Sequence, residues 1–422
     1  MVSFGSLETG AQAGDGALRG AFWAFTGQVA TVLAQGLYFV VLARVMGPTG
    51  MGTLSAAMAL VYLLVPFALW GAGETMVRDV ATEAASFGLA FGRGLSCWLA
   101  AAGILIPAAV GLLRLAVPEL PPGSALVLAA AEIGGAGLVQ LAFYGFQARN
   151  QVRRTGACQA LLASAKAAAI LLFAGLGMPA SIPLWMGFYG IASWLAALTC
   201  LAWVLWTQGP PELVRPPASA WRTGFLFSMG TFTKGAHNDL DKVVLNRFNG
   251  AWDTGEYSVA FRALLVAYLP VTAVLHVAYR GFFQAGVRGI HGALAYARGL
   301  RGRAAAALGL ALAMGALAVL ALPWVLGARY GRASWILSAL LPVLVFRLLH
   351  AVFADALTGA GFQGLRAGIQ LGVAGLNLIL CLLWIPRAGV RGAVWATLAA
   401  DLVLVLATGA ACWALRRRER RA

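Results

Sequence analysis

Eight ionisable side chains interrupt the long apolar runs of this sequence: Glu132, Lys166, Lys234, Asp239, Asp241, Arg347, Asp355 and Asp401, with His350 beside them. A charge in hydrocarbon costs roughly 3 kcal/mol or more unless it faces a partner or a water-filled path, so each is a candidate for binding or for ion coupling. Thr231, Lys234, Asn238 and Asp241 are spaced 3, 4 and 3 apart and form one stripe on a helix. That stripe either lines a polar cavity or neutralises charges on adjacent helices. Asp239 lies on another face, three residues from Lys242, at the spacing of an intrahelical pair.

Arg347, His350, Asp355 and Thr358 fall within one apolar run. Arginine stays charged and presents a planar fork suited to phosphate. Arg347 is therefore read as a contact for an anionic headgroup, or as one half of a buried pair with Asp355 or another carboxylate. His350 could titrate near neutrality, although a lone histidine in an apolar run also serves as a packing residue. Glu132, Lys166 and Asp401 have no partner nearby in sequence, so each awaits one on another helix. Any of Asp241, Asp355, Glu132, Asp401, Asp239 and His350 could carry a coupled proton, and the carboxylates a sodium ion. No catalytic set, metal site or cofactor motif is evident. The cysteines Cys97, Cys158, Cys200, Cys381 and Cys412 have none of the short paired spacings of a metal site and read as small buried hydrophobes.

The elements that must position these groups are set by composition. Of the 422 residues, 61% are hydrophobic and 11% charged, against roughly 45–50% and about 25% in a soluble domain. The solvent is a bilayer. At about 20 apolar residues per crossing, twelve spans fit, near 21–43, 53–71, 95–115, 124–146, 157–177, 184–206, 225–248, 257–279, 304–326, 335–359, 368–385 and 393–414. Frequent Gly and Ala suit close helix approach, and the lack of alternating patterns excludes a membrane barrel. The expected fold is an all-α polytopic membrane protein. The expected segments are a polar tail over 1–19 with no signal-peptide pattern, six helices over 20–206, a Pro-rich linker over 207–224, six helices over 225–414, and a basic tail over 415–422.

The net charge of +16 follows from topology and does not call for nucleic acid, because the basic residues lie between apolar runs. With the N-terminus inside, 19 basic residues fall in cytoplasmic segments and nine in outer ones, while Lys166, Lys234 and Arg347 lie within spans. This places both termini in the cytoplasm, next to anionic membrane lipid.

The halves also resemble one another. Val40–Ala57 (VVLARVMGPTGMGTLSAA) and Val243–Ala260 (VVLNRFNGAWDTGEYSVA) align without a gap at an offset of 203, with eight of 18 positions identical, including Arg44 with Arg247, Gly47 with Gly250, Gly52 with Gly255 and Ser55 with Ser258. With six spans per half, the copies run in the same direction through the membrane, an arrangement found in transporters. The glycines suit tight turns and close helix approach. Arg44 and Arg247 end their spans on the outer side, where they either snorkel to the surface or contribute to a binding path.

Two stretches carry a resemblance to a known family. One is the turn LARVMGPTGMGTLSAA and its copy, with Asp241 and Lys242 shortly before Tyr257 and Ser258. The other is Leu357-x-Gly-x-Gly, followed by Asn377, Ile385, Pro386, Gly389, Gly392, Ala393, Ala396 and Thr397. In these the chain resembles the Wzx-type polysaccharide flippases of the multidrug/oligosaccharidyl-lipid/polysaccharide exporter superfamily. The resemblance implies two six-helix lobes around a cationic cavity. It also implies alternating access, and a polyprenyl-diphosphate-linked oligosaccharide moved across the cytoplasmic membrane for surface polysaccharides such as O-antigen, beside glycosyltransferases and a polymerase. The substrate-binding candidates are Arg347, Lys234, Lys166, Asn238, Thr231, Arg44 and Arg247. A multidrug or ion exporter of the same superfamily is the alternative. A membrane-embedded polymerase or ligase ranks below it, since the outer loops are short and hold no paired carboxylates or histidine clusters.

Overall fold

The computed structural model describes the backbone of residues 8–214 and 218–420, and the side chains of residues 31–420 except 215–223, 226, 227, 230, 231 and 234. Among these residues the chain is helical throughout its regular elements. In order they are α1 (Glu8–Leu64), α2 (Ala72–Ala81), α3 (Phe87–Ala116), α4 (Pro122–Ala129), α5 (Gly137–Ala148), α6 (Val152–Gly175), α7 (Ile182–Gln208), α8 (Ala218–Asn249), α9 (Ala251–Ala267), α10 (Leu269–Gly286), α11 (Gly289–Gly299), α12 (Arg301–Leu326), α13 (Ala333–Leu340), α14 (Pro342–Gly359), α15 (Gln363–Ala388) and α16 (Val390–Glu419). A π-helical segment, Ala130–Ala136, joins α4 to α5.

Nine helices among the described residues are long and apolar enough to cross a membrane, or ten if the bent pair α9 and α10 forms one span. The expected twelve reduce to that number for physical reasons. Thr31–Ala81 counts once but takes in the later part of the first expected span and all of the second, divided at Gly47, whose φ of 65° and ψ of −179° leave the helical region. The eighth expected span is bent by 45° between α9 and α10. The seventh lies on α8, where Lys234, Asp239, Asp241, Lys242 and Arg247 make the helix too polar to pass on hydropathy alone.

The chain divides into two compact units: Met1–Val45 with Leu60–Phe232, and Met46–Ala59 with Thr233–Ala422. The first has a core of Phe87, Phe91, Leu138, Leu141, Phe146, Cys158 and Cys200, drawn from α3, α5, α6 and α7. The Pro-rich stretch is anchored here at its start. Glu212 N donates to Gly88 O at 3.0 Å, and Gly92 lies so close beneath Glu212 that a Cβ there would overlap its carbonyl. The second unit packs Phe282, Ile290, Ala293, Leu357 and Cys412 from α10, α11, α14 and α16. All five cysteines are buried and unpaired.

The sequence repeat acquires a structural meaning within the second unit. Gly250 enters α9 with φ 85° and ψ 173°, close to the conformation of its counterpart Gly47. These positive φ values favour glycine. Gly52 and Gly255 serve the other expected purpose: a Cβ on Gly52 would fall on the Ala251 carbonyl, and one on Gly255 on the Pro48 carbonyl. Pro48 and Ala251 are themselves equivalent under the 203-residue offset, so the contact is reciprocal.

Substituting either glycine at this crossing forces backbone apart, and overpacking of this kind costs typically about 1–3 kcal/mol. Gly52→Val and Gly255→Val are expected to lower the melting temperature of the detergent-purified protein. Gly103→Ala, in α3 with nothing within 4 Å of the added carbon, is expected to leave it unchanged or raise it. Equal melting of all four proteins would show that the crossing is not close-packed.

Candidate functional site

Each unit holds a buried polar cluster of its own. In the first, Glu132 projects from the π-helical segment, which lets the helix carry an inward carboxylate at the cost of irregular backbone bonding. Trp98 Nε1 donates to the Gly134 carbonyl of that segment at 3.0 Å. Lys166, on α6, donates to Glu132 Oε1 at 2.6 Å and to Tyr189 Oη at 2.8 Å. Tyr189 donates its hydroxyl proton to the same carboxylate oxygen. The ammonium also lies 4.5 Å from the centroid of the Tyr189 ring, a favourable cation–π placement in a desolvated site. Tyr189 belongs to an aromatic cluster with Trp185 and Tyr38. Two of the three charges that sequence left without partners thus form one neutral interhelical pair.

The second cluster is larger and is built on α8, α9, α14, α15 and α16. Asp401, on α16, is 2% exposed and receives two helices at once. Arg347 Nε from α14 lies 3.4 Å from its Oδ2, and His237 Nε2 from α8 lies 2.9 Å from its Oδ1. Arg347 Nη2 also donates to Asn238 Oδ1 at 2.9 Å, and Asn377 Nδ2 on α15 donates to the His237 carbonyl at 3.2 Å. Further along α8, Lys242 Nζ donates to the Asn238 carbonyl and to the carboxylates of Asp239 and Asp241 at 2.5, 3.0 and 3.2 Å. Asp241 Oδ2 accepts the Tyr257 hydroxyl at 2.6 Å, and that hydroxyl lies 3.0 Å from Thr397 Oγ1. The Phe261 ring links the two ends of the cluster, with Lys242 Nζ 4.2 Å and Arg347 Cζ 5.3 Å from its centroid.

The expectations resolve residue by residue. Arg347 pairs with Asp401 and not with Asp355. Asp355 instead accepts from Arg366 Nη1 at 3.3 Å, and the same nitrogen donates to Thr358 at 2.7 Å. His350 Nε2 stands 3.3 Å from the Gln370 amide. Asp239 makes the pair with Lys242 that the spacing suggested. Arg44 and Arg247 are exposed. The side chains of Thr231 and Lys234 lie outside the described residues.

His237, Tyr189, Asn377, Thr397 and Arg366 take part although sequence reading did not nominate them as site residues. His237 is four residues before Asp241 and so shares its helix face, a signal that was present in the spacing. Asn377 and Thr397 stood out only as marks of fold. Tyr189 and Arg366 gave no signal, because nothing in one dimension sets a tyrosine in α7 or an arginine at the start of α15 beside a particular carboxylate.

Separating a buried ion pair by removing one partner costs about 3–5 kcal/mol, while removing both charges together costs little. Lys166→Met is therefore expected to lower the melting temperature sharply, and Lys166→Met combined with Glu132→Gln to recover most of the loss. Additive losses in the double variant would show that the two side chains are not coupled.

The family model described as polysaccharide biosynthesis protein matches residues 17–279. The chain matches no curated protein sequence. Among solved structures it is similar to an inward-facing multidrug resistance MATE family transporter of the MOP superfamily, with a TM-score of 0.70 at 14% identity, covering 93% of this chain and 99% of that one. The lipid II flippase MurJ in an inward closed conformation gives 0.63 at 16% identity, covering 91% and 86%. The MATE multidrug transporter DinF-BH gives 0.64 at 17% identity, covering 94% of each chain. These likenesses establish the fold, which in the MATE and MurJ proteins comprises twelve helices in two lobes.

Proposed function

We propose that this chain, which belongs to the polysaccharide biosynthesis protein family, is a MOP-superfamily flippase that moves an oligosaccharide linked to polyprenyl diphosphate across the membrane. The observation that carries this reading is Arg347. Its guanidinium lies within a membrane span, 13% exposed as a side chain, and is divided between Asp401 and the neutral Asn238. A planar cation with donors in a fork can exchange a carboxylate for a phosphate without changing the kind of bond it makes. Diphosphate and sugar cannot enter hydrocarbon unaided, whereas a prenyl chain can remain there. The family description supports a polysaccharide precursor as the cargo, and the similarity in fold to a lipid II flippase supports handling of a lipid-linked one.

Transport by alternating access suits a fold of this class. The loop-by-loop balance of basic residues supports a cytoplasmic membrane location with both termini inside. Lys166 is neutralised by its pair with Glu132, so it ranks below Arg347 as a headgroup contact. Glycosyltransferases that build the cargo and a polymerase that uses it are the partners this role requires.

The test is reconstitution into proteoliposomes with a fluorescent polyprenyl-diphosphate-linked oligosaccharide, read by its accessibility to a membrane-impermeant glycosidase. Wild-type protein is expected to expose substrate from the inner leaflet. Arg347→Ala is expected to slow exposure by at least about tenfold at equal protein incorporation, since a hydrogen bond to a charged group is worth about 1.5–3 kcal/mol. No protein-dependent exposure would remove the flippase reading. Export of a cationic dye in its place would favour the multidrug alternative.

A further inference from the structure

We infer that His237 takes up one proton when an anionic diphosphate headgroup binds at Arg347, so that the pair His237–Asp401 couples proton binding to substrate binding. The inference rests on the flippase reading and adds to it the identity of the coupling group.

Asp401 is 2% exposed and touches two groups able to be cationic: Arg347 at 3.4 Å on one oxygen and His237 at 2.9 Å on the other. With His237 neutral, Asp401 and Arg347 sum to zero and the carboxylate is balanced by arginine alone. A diphosphate that draws the guanidinium away would then leave a buried carboxylate without a counter-charge, a strongly unfavourable state. Among the described residues, His237 is the one other side chain in contact with Asp401 that can supply the missing charge. Its Nε2–H is donated to Asp401, so the incoming proton adds to the remaining ring nitrogen, and the imidazolium holds Asp401 while Arg347 turns to phosphate. Histidine is the side chain suited to gain and lose this charge in the physiological range.

Among the described residues, the other charged and titratable groups around the site are already committed or lie outside this exchange. Lys242 and Asp241, one turn further along α8, hold one another, with Asp239 and Tyr257 completing their bonds. His350 on α14 faces Gln370 and interacts electrostatically with His237, Arg347, Asp401 and Arg366. Tyr268, at the bend between α9 and α10, interacts with Arg347, Asp401 and Asp355. Asn377 fixes the backbone at His237 through its carbonyl. Asn238, the next residue on α8, holds the guanidinium from its other side. Imidazole and guanidinium therefore respond to the same carboxylate and are joined through the same turn of helix.

The experiment is calorimetric titration of the full-length detergent-purified protein with geranyl diphosphate, in buffers of differing ionisation enthalpy, which gives the protons taken up per ligand bound. Wild type is expected to take up about one proton more than His237→Gln at neutral pH, and its affinity to fall by up to about tenfold per pH unit more steeply as pH rises. Asp401→Asn, which has no carboxylate to balance, is expected to bind without the extra proton and more tightly than wild type at alkaline pH. Equal proton uptake by wild type and His237→Gln would overturn the inference while leaving the flippase reading in place. Retention of uptake in His237→Gln with loss only in Asp401→Asn would assign the proton to the carboxylate and also overturn it. Failure of wild type to bind geranyl diphosphate would count against the substrate class itself and overturn both. If neither variant is monodisperse, a wild-type affinity that does not change between pH 6 and 8 overturns the inference alone.

Discussion

A charge buried in a bilayer must find its counter-charge within the protein, and in this chain it does so by joining one helix to another. Glu132 and Lys166 tie the π-helical segment to α6. Asp355 and Arg366 tie α14 to α15. Asp401 ties α16 to both α8 and α14. Each pair removes a cost that a lone charge would impose, so the pairs select the helix packing as well as tolerate it. The consequence for function is competition. An anionic headgroup does not meet an idle cation at Arg347; it meets one already serving a carboxylate, and binding depends on what else can serve that carboxylate.

The glycine crossing meets a different constraint. Backbones can approach closely only where side chains are missing, and the repeat supplies that twice, at Gly52 and Gly255, against the equivalent residues Ala251 and Pro48. The breaks at Gly47 and Gly250, with their positive φ values, begin the helices that bring these glycines together. The same local sequence thus sets a turn and a contact. That accounts for its presence in both halves, and for the inclusion of Met46–Ala59 in the second unit.

Most of the fold was legible because hydropathy is a local property. The runs expected to span the membrane correspond to helices, and the discrepancies in count arise at Gly47, at the bend between α9 and α10, and on the charged face of α8. The site was legible in its inventory and not in its pairing. Arg347 was visible as an intruder in an apolar run, but its choice of Asp401 over the nearer Asp355 depends on how α14 is rotated against α16, which no spacing encodes. His237 lies four residues before Asp241, a spacing that puts both on one helix face but does not name Asp401 as its partner. Asn377 and Thr397 were visible as family marks, and their hydrogen bonds to the His237 carbonyl and to Tyr257 show that residues read as fold signatures also complete the polar cluster.

The central claim is that a diphosphate headgroup and Asp401 compete for one guanidinium. It is tested most directly by an experimental structure of the full chain with a polyprenyl-diphosphate-linked oligosaccharide bound. The account predicts that Arg347 turns from Asp401 to the phosphate oxygens while His237 keeps its contact with the carboxylate. An Arg347–Asp401 pair left intact, with the headgroup held elsewhere, would contradict it.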